Sequence, residues 1–219
     1  MPDHTPLVHR AVRTGGIALA VASVQFVAAM IVVQSRYPHY SLSANYISDL
    51  GGASSPWALV FDASVIFLGA ATLVAVLLIA SAFDDRPIRS AGLGILLAAA
   101  LGAIGVGVFP ETTHVLDGNA HEIATAIAFV GAAVGFLVLS GAMRDGAHWR
   151  LSRPYTIVSG LVAGVATILF FFGVYLGLGP GGMERLVVAP ILLWMIVEGI
   201  HIARLPRFAP GLSLPGTSG

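Results

Sequence analysis

"WALVFDASVIFLGAATLVAVLLIASA", Trp57–Ala82, holds a single ionisable residue, Asp62, in 26 positions. A helix needs about 20 apolar residues to cross the hydrocarbon core of a bilayer, and this stretch exceeds that length. Five further segments have the same character: Gly15–Val33, Ala91–Phe109, His121–Met143, Tyr155–Leu176 and Leu186–Ala203. The pattern predicts an all-α integral membrane protein, a bundle of six transmembrane helices. Composition agrees. Hydrophobic residues make up 57% of the chain and charged residues 10%, against about 25% charged in soluble domains. Eleven basic residues balance eleven acidic ones, so no nucleic-acid partner is expected. The absence of cysteine excludes disulfides and thiolate metal sites. The first segment follows His9, Arg10 and Arg13 but leads into "QSRYPHY", not a small-residue cleavage site, and is read as a retained helix.

Arginine placement sets the expected orientation. Arg10, Arg13, Arg86, Arg89, Arg144, Arg150, Arg153, Arg204 and Arg207 fall on one side, and only Arg36 and Arg185 on the other. Basic residues are retained in the cytoplasm, so both termini are expected inside, in the plasma membrane, with one domain over residues 1–204. The Pro/Gly/Ser-rich end, residues 205–219, reads as a disordered cytoplasmic tail. Small residues recur at close-packing spacing: Gly131 with Gly135, Gly160 with Gly164, Gly173 with Gly177. Such faces suit a tight bundle and a possible homo-oligomer.

Polarity gathers at the outer side. "SLSANYISDLGG", Ser41–Gly52, joins the first two helices, and its apolar stripe Leu42, Tyr46, Ile47 and Leu50 predicts a short interfacial helix ended by Gly51 and Gly52. Asn119 and Glu122 read as a capping pair, and Glu184 complements the positive end of the sixth helix. Asp62, an ionisable group inside a span, calls for a partner, and His121 and Arg185 are the candidates. Gln25 is expected to find an interhelical hydrogen bond. Glu198 and His201, spaced Glu-x-x-His near the inner end of the last helix, read as a local ion pair. Neither metal nor cofactor is expected. His114 and His121 lack zinc spacing, His121 and His201 sit at opposite membrane ends, and no G-x-S-x-G elbow occurs. Asp49, Asp62 and His121 are the catalytic candidates. The binding candidates are Asn45, Ser48, Asp49, His114, His121, Glu184 and Arg185.

The stretch Asn45-x-Ile47-Ser48-Asp49-Leu50-Gly51 resembles the outer motif of the six-helix membrane family called domain of unknown function 998. "GVFPE", Gly107–Glu111, the opening of helix 4 at His121, and Glu184–Arg185 before the last helix are similar to that family as well. The resemblance spans roughly Gly15 to Arg204 and implies the same fold. More remotely, Tyr46-Ile47-Ser48-Asp49-x-Gly51, followed by Pro56 and Phe61, is similar to the DRAM/Frag1 group of eukaryotic six-helix proteins. Some of its members remodel lipid anchors, which points toward lipid handling.

Three functions follow, in order. The first is a lipid-binding protein or lipid-associated scaffold, with membrane lipids as partners and Arg185 as the phosphate contact. The second is an intramembrane lipid-modifying enzyme of hydrolase or remodelling type. The third is a small-solute transporter, disfavoured by the lack of an internal repeat.

Overall fold

A computed structural model describes residues 5–83, 85–111, 115–143 and 147–205. Six helices form it: α1 (Thr5–Arg36), α2 (Ala58–Ile79), α3 (Pro87–Val108), α4 (Ala120–Leu139), α5 (Ser152–Phe171) and α6 (Gly179–Ala203). All six are long and apolar enough to cross a membrane, and no strand occurs among the described residues. At 1.5 Å per residue α1 is about 48 Å long, well beyond a hydrocarbon core of about 30 Å. Large apolar side chains stand exposed around the girdle, among them Leu59, Leu77, Leu101, Val165 and Leu193. Water would penalise that surface and lipid tails do not.

Each helix packs on its neighbours in sequence, and α6 closes back on α1, so the six form a ring. The ring closes because backbones approach closely where side chains are absent. At the α1–α6 crossing, a Cβ on Gly16 would lie 2.6 Å from the Gly199 carbonyl, and one on Gly199 2.7 Å from the Gly16 carbonyl. In lipid, such close backbone contact supplies the dispersion energy that hydrophobic exclusion cannot. Ser23 Oγ adds a 3.0 Å hydrogen bond to the Leu192 carbonyl, and Trp194 Nε1 donates to Thr156 Oγ1 at 2.8 Å between α6 and α5.

Several boundaries differ from the sequence reading. α5 stops at Phe171, so Gly173 and Gly177 are loop residues with φ of +69° and +79°, not a helix-packing pair. Gly131, Gly135 and Gly160 do pack against other helices, but inside this bundle, on Ala99, Leu96 and Leu137. α6 begins at Gly179, seven residues before the expected Leu186, and Glu184 and Arg185 therefore lie within it. The expected interfacial helix is absent as one element: residues 42–44 form a turn, and Ser48–Gly51 a single 3-10 turn. With two glycines ending it and no propagating length, the segment follows its tertiary contacts and not its helical period. Asn119 precedes α4 without a side-chain capping bond. The Oε1 atom of Gln25 is buried with no partner among the described residues, so the expected interhelical bond does not form through it. The tail from residue 206 onward, and His114 with it, lie outside the described residues.

The α1–α6 crossing gives a direct test. Gly199→Val should lower thermal stability in detergent by about 1–3 kcal/mol through overpacking. Gly94→Ala, where a Cβ meets nothing within 4 Å, should leave the melting temperature unchanged or raise it. Equal melting for the two variants would contradict the crossing.

Candidate functional site

The segment between α1 and α2 folds over one end of the ring, the loop end, and is held there chiefly by α6. Arg185 is the centre of that attachment. Its Nη1 donates to the carbonyls of Leu42 (2.9 Å), Asn45 (3.2 Å) and Gly181 (2.9 Å), and its Nη2 to Tyr40 Oη (2.7 Å). The guanidinium also lies 5.6 Å from the centre of the Tyr40 ring, a cation–π distance. Burial pushes the Tyr40 phenol upward, and its hydrogen bond from Arg185 pulls it back. The same phenol donates to the Tyr46 carbonyl at 2.7 Å.

Glycine makes the approach possible. Gly179 opens α6 with φ +78°, and a side chain there would run into Ser43. A Cβ on Gly181 would collide with the Asn45 carbonyl. The segment thus rests on bare helix backbone. Ser43 Oγ donates to the Leu178 carbonyl at 2.6 Å, and the Gly181 amide donates to the Ser43 carbonyl at 2.9 Å.

Asp49 acts within its own turn. Its Oδ2 accepts from Asn45 Nδ2 (2.9 Å) and from the Tyr46 amide (3.0 Å), while Asn45 Oδ1 accepts from the Ser41 amide (3.0 Å). This locks the backbone so that Ile47 and Leu50, both buried, point into the bundle. Leu42, the fourth member of the expected stripe, is exposed instead. Ser48 Oγ donates to Glu111 Oε1 at 2.7 Å, tying the segment to the end of α3. The Ile47 amide donates to Glu184, a carboxyl 5% exposed. Tyr46 Oη meets Tyr175 Oη at 3.2 Å; that hydrogen bond, then burial, pushes the Tyr46 phenol up to about 12.

The predicted residues therefore divide. Asn45, Ser48, Asp49, Glu184 and Arg185 do assemble, through the motif segment and α6. His121 does not join them by a direct bond: it is buried, with Nδ1 2.8 Å from the Phe109 carbonyl, pinning the end of α3 to the start of α4. Among the described residues, no hydrogen bond or ion pair links Asp49 to His121 or Arg185. Asp62 has neither expected partner; its carboxyl lies against Gly51, where any side chain would displace it. The Arg185 guanidinium, expected to meet phosphate, makes four hydrogen bonds within the fold. Sequence reasoning missed Tyr40, whose hydroxyl bridges Arg185 and the Tyr46 carbonyl, and Gly181; nothing in their spacing marks contacts across more than 130 positions.

Beneath the segment the ring holds a partly open cavity of about 130 Å³, lined by α1, α2, α3, α4 and α6. Its roof is Ile47 and Ser48, with Glu184 at the same end. Below, the walls are apolar: Phe26, Val65, Leu96, Phe129, Leu192 and Met195. From Glu184 to Met195 along α6 is about 16 Å at 1.5 Å per residue, so the cavity is long and narrow. At the opposite end, Glu198 is 1% exposed, and among the described residues its Oε2 and Nε2 of His201 have no partner and the expected ion pair is not formed. His201 instead sits beside Trp149, ring centres 5.7 Å apart.

Asp49→Ala removes the acceptor that takes two hydrogen bonds of the local clamp, from Asn45 Nδ2 and the Tyr46 amide. Amide exchange at Tyr46 should accelerate by about tenfold or more, measured by mass spectrometry in nanodiscs, with α3 and α4 protection unchanged. Arg185→Lys, a point charge in place of a fork, should free residues 41–46 in the same assay. Unaltered exchange in both variants would show that apolar burial alone holds the segment.

No curated protein and no solved structure matches this chain. The family described as Protein of unknown function (DUF998) matches residues 20–201, from the middle of α1 to the last turn of α6 and across the whole motif segment. The six-helix ring and its stapled motif segment are therefore features of a member of the DUF998 family, to which this chain belongs.

Proposed function

We propose that this protein binds a lipid chain inside its helical ring, with the motif segment as the roof of the site and both termini in the cytoplasm. The observation that carries this reading is the cavity: elongated, walled by five of the six helices and apolar but for Ser48, Thr125 and Glu184 toward one end and Thr72, whose hydroxyl is taken up by the Leu68 carbonyl. Dry apolar cavities accept apolar guests, while water needs several polar partners to enter. A bilayer supplies chains of the required shape at high local concentration. The arginine excess at the opposite end supports placing the roof outside the cell, and the motif segment then faces the outer leaflet. Arg185 is engaged in the roof and does not line the cavity, so affinity inside it rests on chain burial, at about 25 cal/mol per Å² of apolar surface.

Two measurements test the reading. Ala132, 6% exposed on the cavity wall, can be enlarged to fill the space. Ala132→Phe should keep the fold but lower co-purified lipid, read by native mass spectrometry, at least about threefold. Undiminished lipid in a folded Ala132→Phe protein would place any bound lipid elsewhere. The chain has no cysteine, so single introduced thiols report topology without background. Ser54→Cys should react with an impermeant reagent in intact cells, and Asp85→Cys only after permeabilisation. The reverse pattern would invert the protein.

A further inference from the structure

Resting on that chain-binding reading, we infer that the loop end of the cavity takes an uncharged hydroxyl head, and that the ligand is a long-chain alcohol or a lipid presenting one. The inference stands on two side chains at one depth. Glu184 is five residues into α6 and Thr125 five residues into α4, each about 7.5 Å from its helix end at the loop side. Both line the cavity, and both are more than nine-tenths buried.

Thr125 is the unusual one. A threonine or serine inside a helix ordinarily donates to a carbonyl one turn back. Thr72, on the same cavity wall, does so to Leu68 at 2.6 Å, and Thr167 to Ala163 at 2.7 Å. Thr125 Oγ1 is buried and has no partner among the described residues. Leaving a buried hydroxyl unpaired is costly, and a ligand group beside it removes that cost. Glu184 accepts the Ile47 amide on Oε2, its one hydrogen bond among the described residues.

The head group follows from what these atoms require. A hydroxyl can donate to Glu184 and accept from Thr125 with one oxygen. An ammonium could donate to the carboxyl and to Thr125 Oγ1 but would leave the threonine proton without an acceptor and bury a strongly hydrated charge. A phosphate or carboxylate would lie beneath Asp49 and Glu111 in the segment above, while the neighbouring cation, Arg185, does not line the cavity and directs Nη1 and Nη2 to three carbonyls and Tyr40. An anion there would lose its hydration with no cationic side chain lining the cavity to replace it. Ser48, also at the roof, already donates to Glu111 and leaves Thr125 as the open donor.

The experiment uses the full chain in nanodiscs with four matched photoreactive probes: hexadecanol, hexadecanoic acid, hexadecylamine and hexadecyl phosphate, each with a mid-chain diazirine. The alcohol should label cavity-wall peptides saturably and compete with the acid and the phosphate by about tenfold or more. Thr125→Val keeps the shape and removes the hydroxyl; it should melt at or above the parent temperature yet weaken alcohol labelling about fivefold. Thr125→Ser should restore it. Labelling by all four probes alike, with Thr125→Val indifferent, would overturn the head-group inference and leave chain binding standing. Preference for the acid, the amine or the phosphate would overturn it equally. Cavity peptides labelled by none of the four would remove both readings.

Discussion

One guanidinium organises the loop end of this protein. Arg185 satisfies three backbone carbonyls and a phenol that would otherwise lie over an apolar bundle with few donors at hand. Irregular backbone survives at membrane depth only where protein groups satisfy it. Charge-assisted bonds of this kind contribute about 1.5–3 kcal/mol each, which fixes the path of the segment. Once that path is fixed, the Ile47 amide reaches Glu184, Ser48 reaches Glu111, and Ile47 and Leu50 seal the ring. The roof therefore depends on α6, although every residue of the motif lies between α1 and α2.

The interior follows a second constraint. Glycines at the α1–α6 crossing and along α3 and α4 draw backbones together at the periphery of each contact. Larger side chains such as Phe136 and Trp194, with ring centres 4.1 Å apart, fill the ring toward its far end. What remains between them is a narrow space, open to apolar contents, whose one carboxyl, Glu184, lies near the loop end. Backbone closeness and residual space are linked: a side chain on either glycine of the crossing would push α1 from α6 and change the cavity walls they share.

The chain separates its polar groups by task. Most are consumed holding elements together: His121 joins α3 to α4, Ser23 joins α1 to α6, Trp194 with Thr156 joins α6 to α5. Thr125 shares with Gln25, Glu198 and His201 a buried polar atom that has no partner among the described residues, and of these it alone lines the cavity. A ring of this kind can spend polar atoms on architecture at its rim and keep its centre for a guest.

The fold was legible in the sequence because lipid imposes length and hydropathy on each span separately. Trp57–Ala82 or Ala91–Phe109 can be recognised without reference to any neighbour, and helix number follows from counting them. The motif segment was legible as a site, since Asn45, Ser48 and Asp49 are out of place in so apolar a chain. Its internal clamp, Asp49 on Asn45 and Tyr46, uses contacts three and four residues apart and is local chemistry. Partners across the chain were not legible. Arg185 read equally well as a phosphate contact, and Asp62 as the partner of His121, because charge pairing carries no address in sequence. Only the ring closure of α6 on α1 brings residues 40–46 to residues 179–185 and decides that Arg185 staples the roof. The cavity, too, belongs to the tertiary structure alone, because an empty space is the difference between packed volumes and no single segment encodes it.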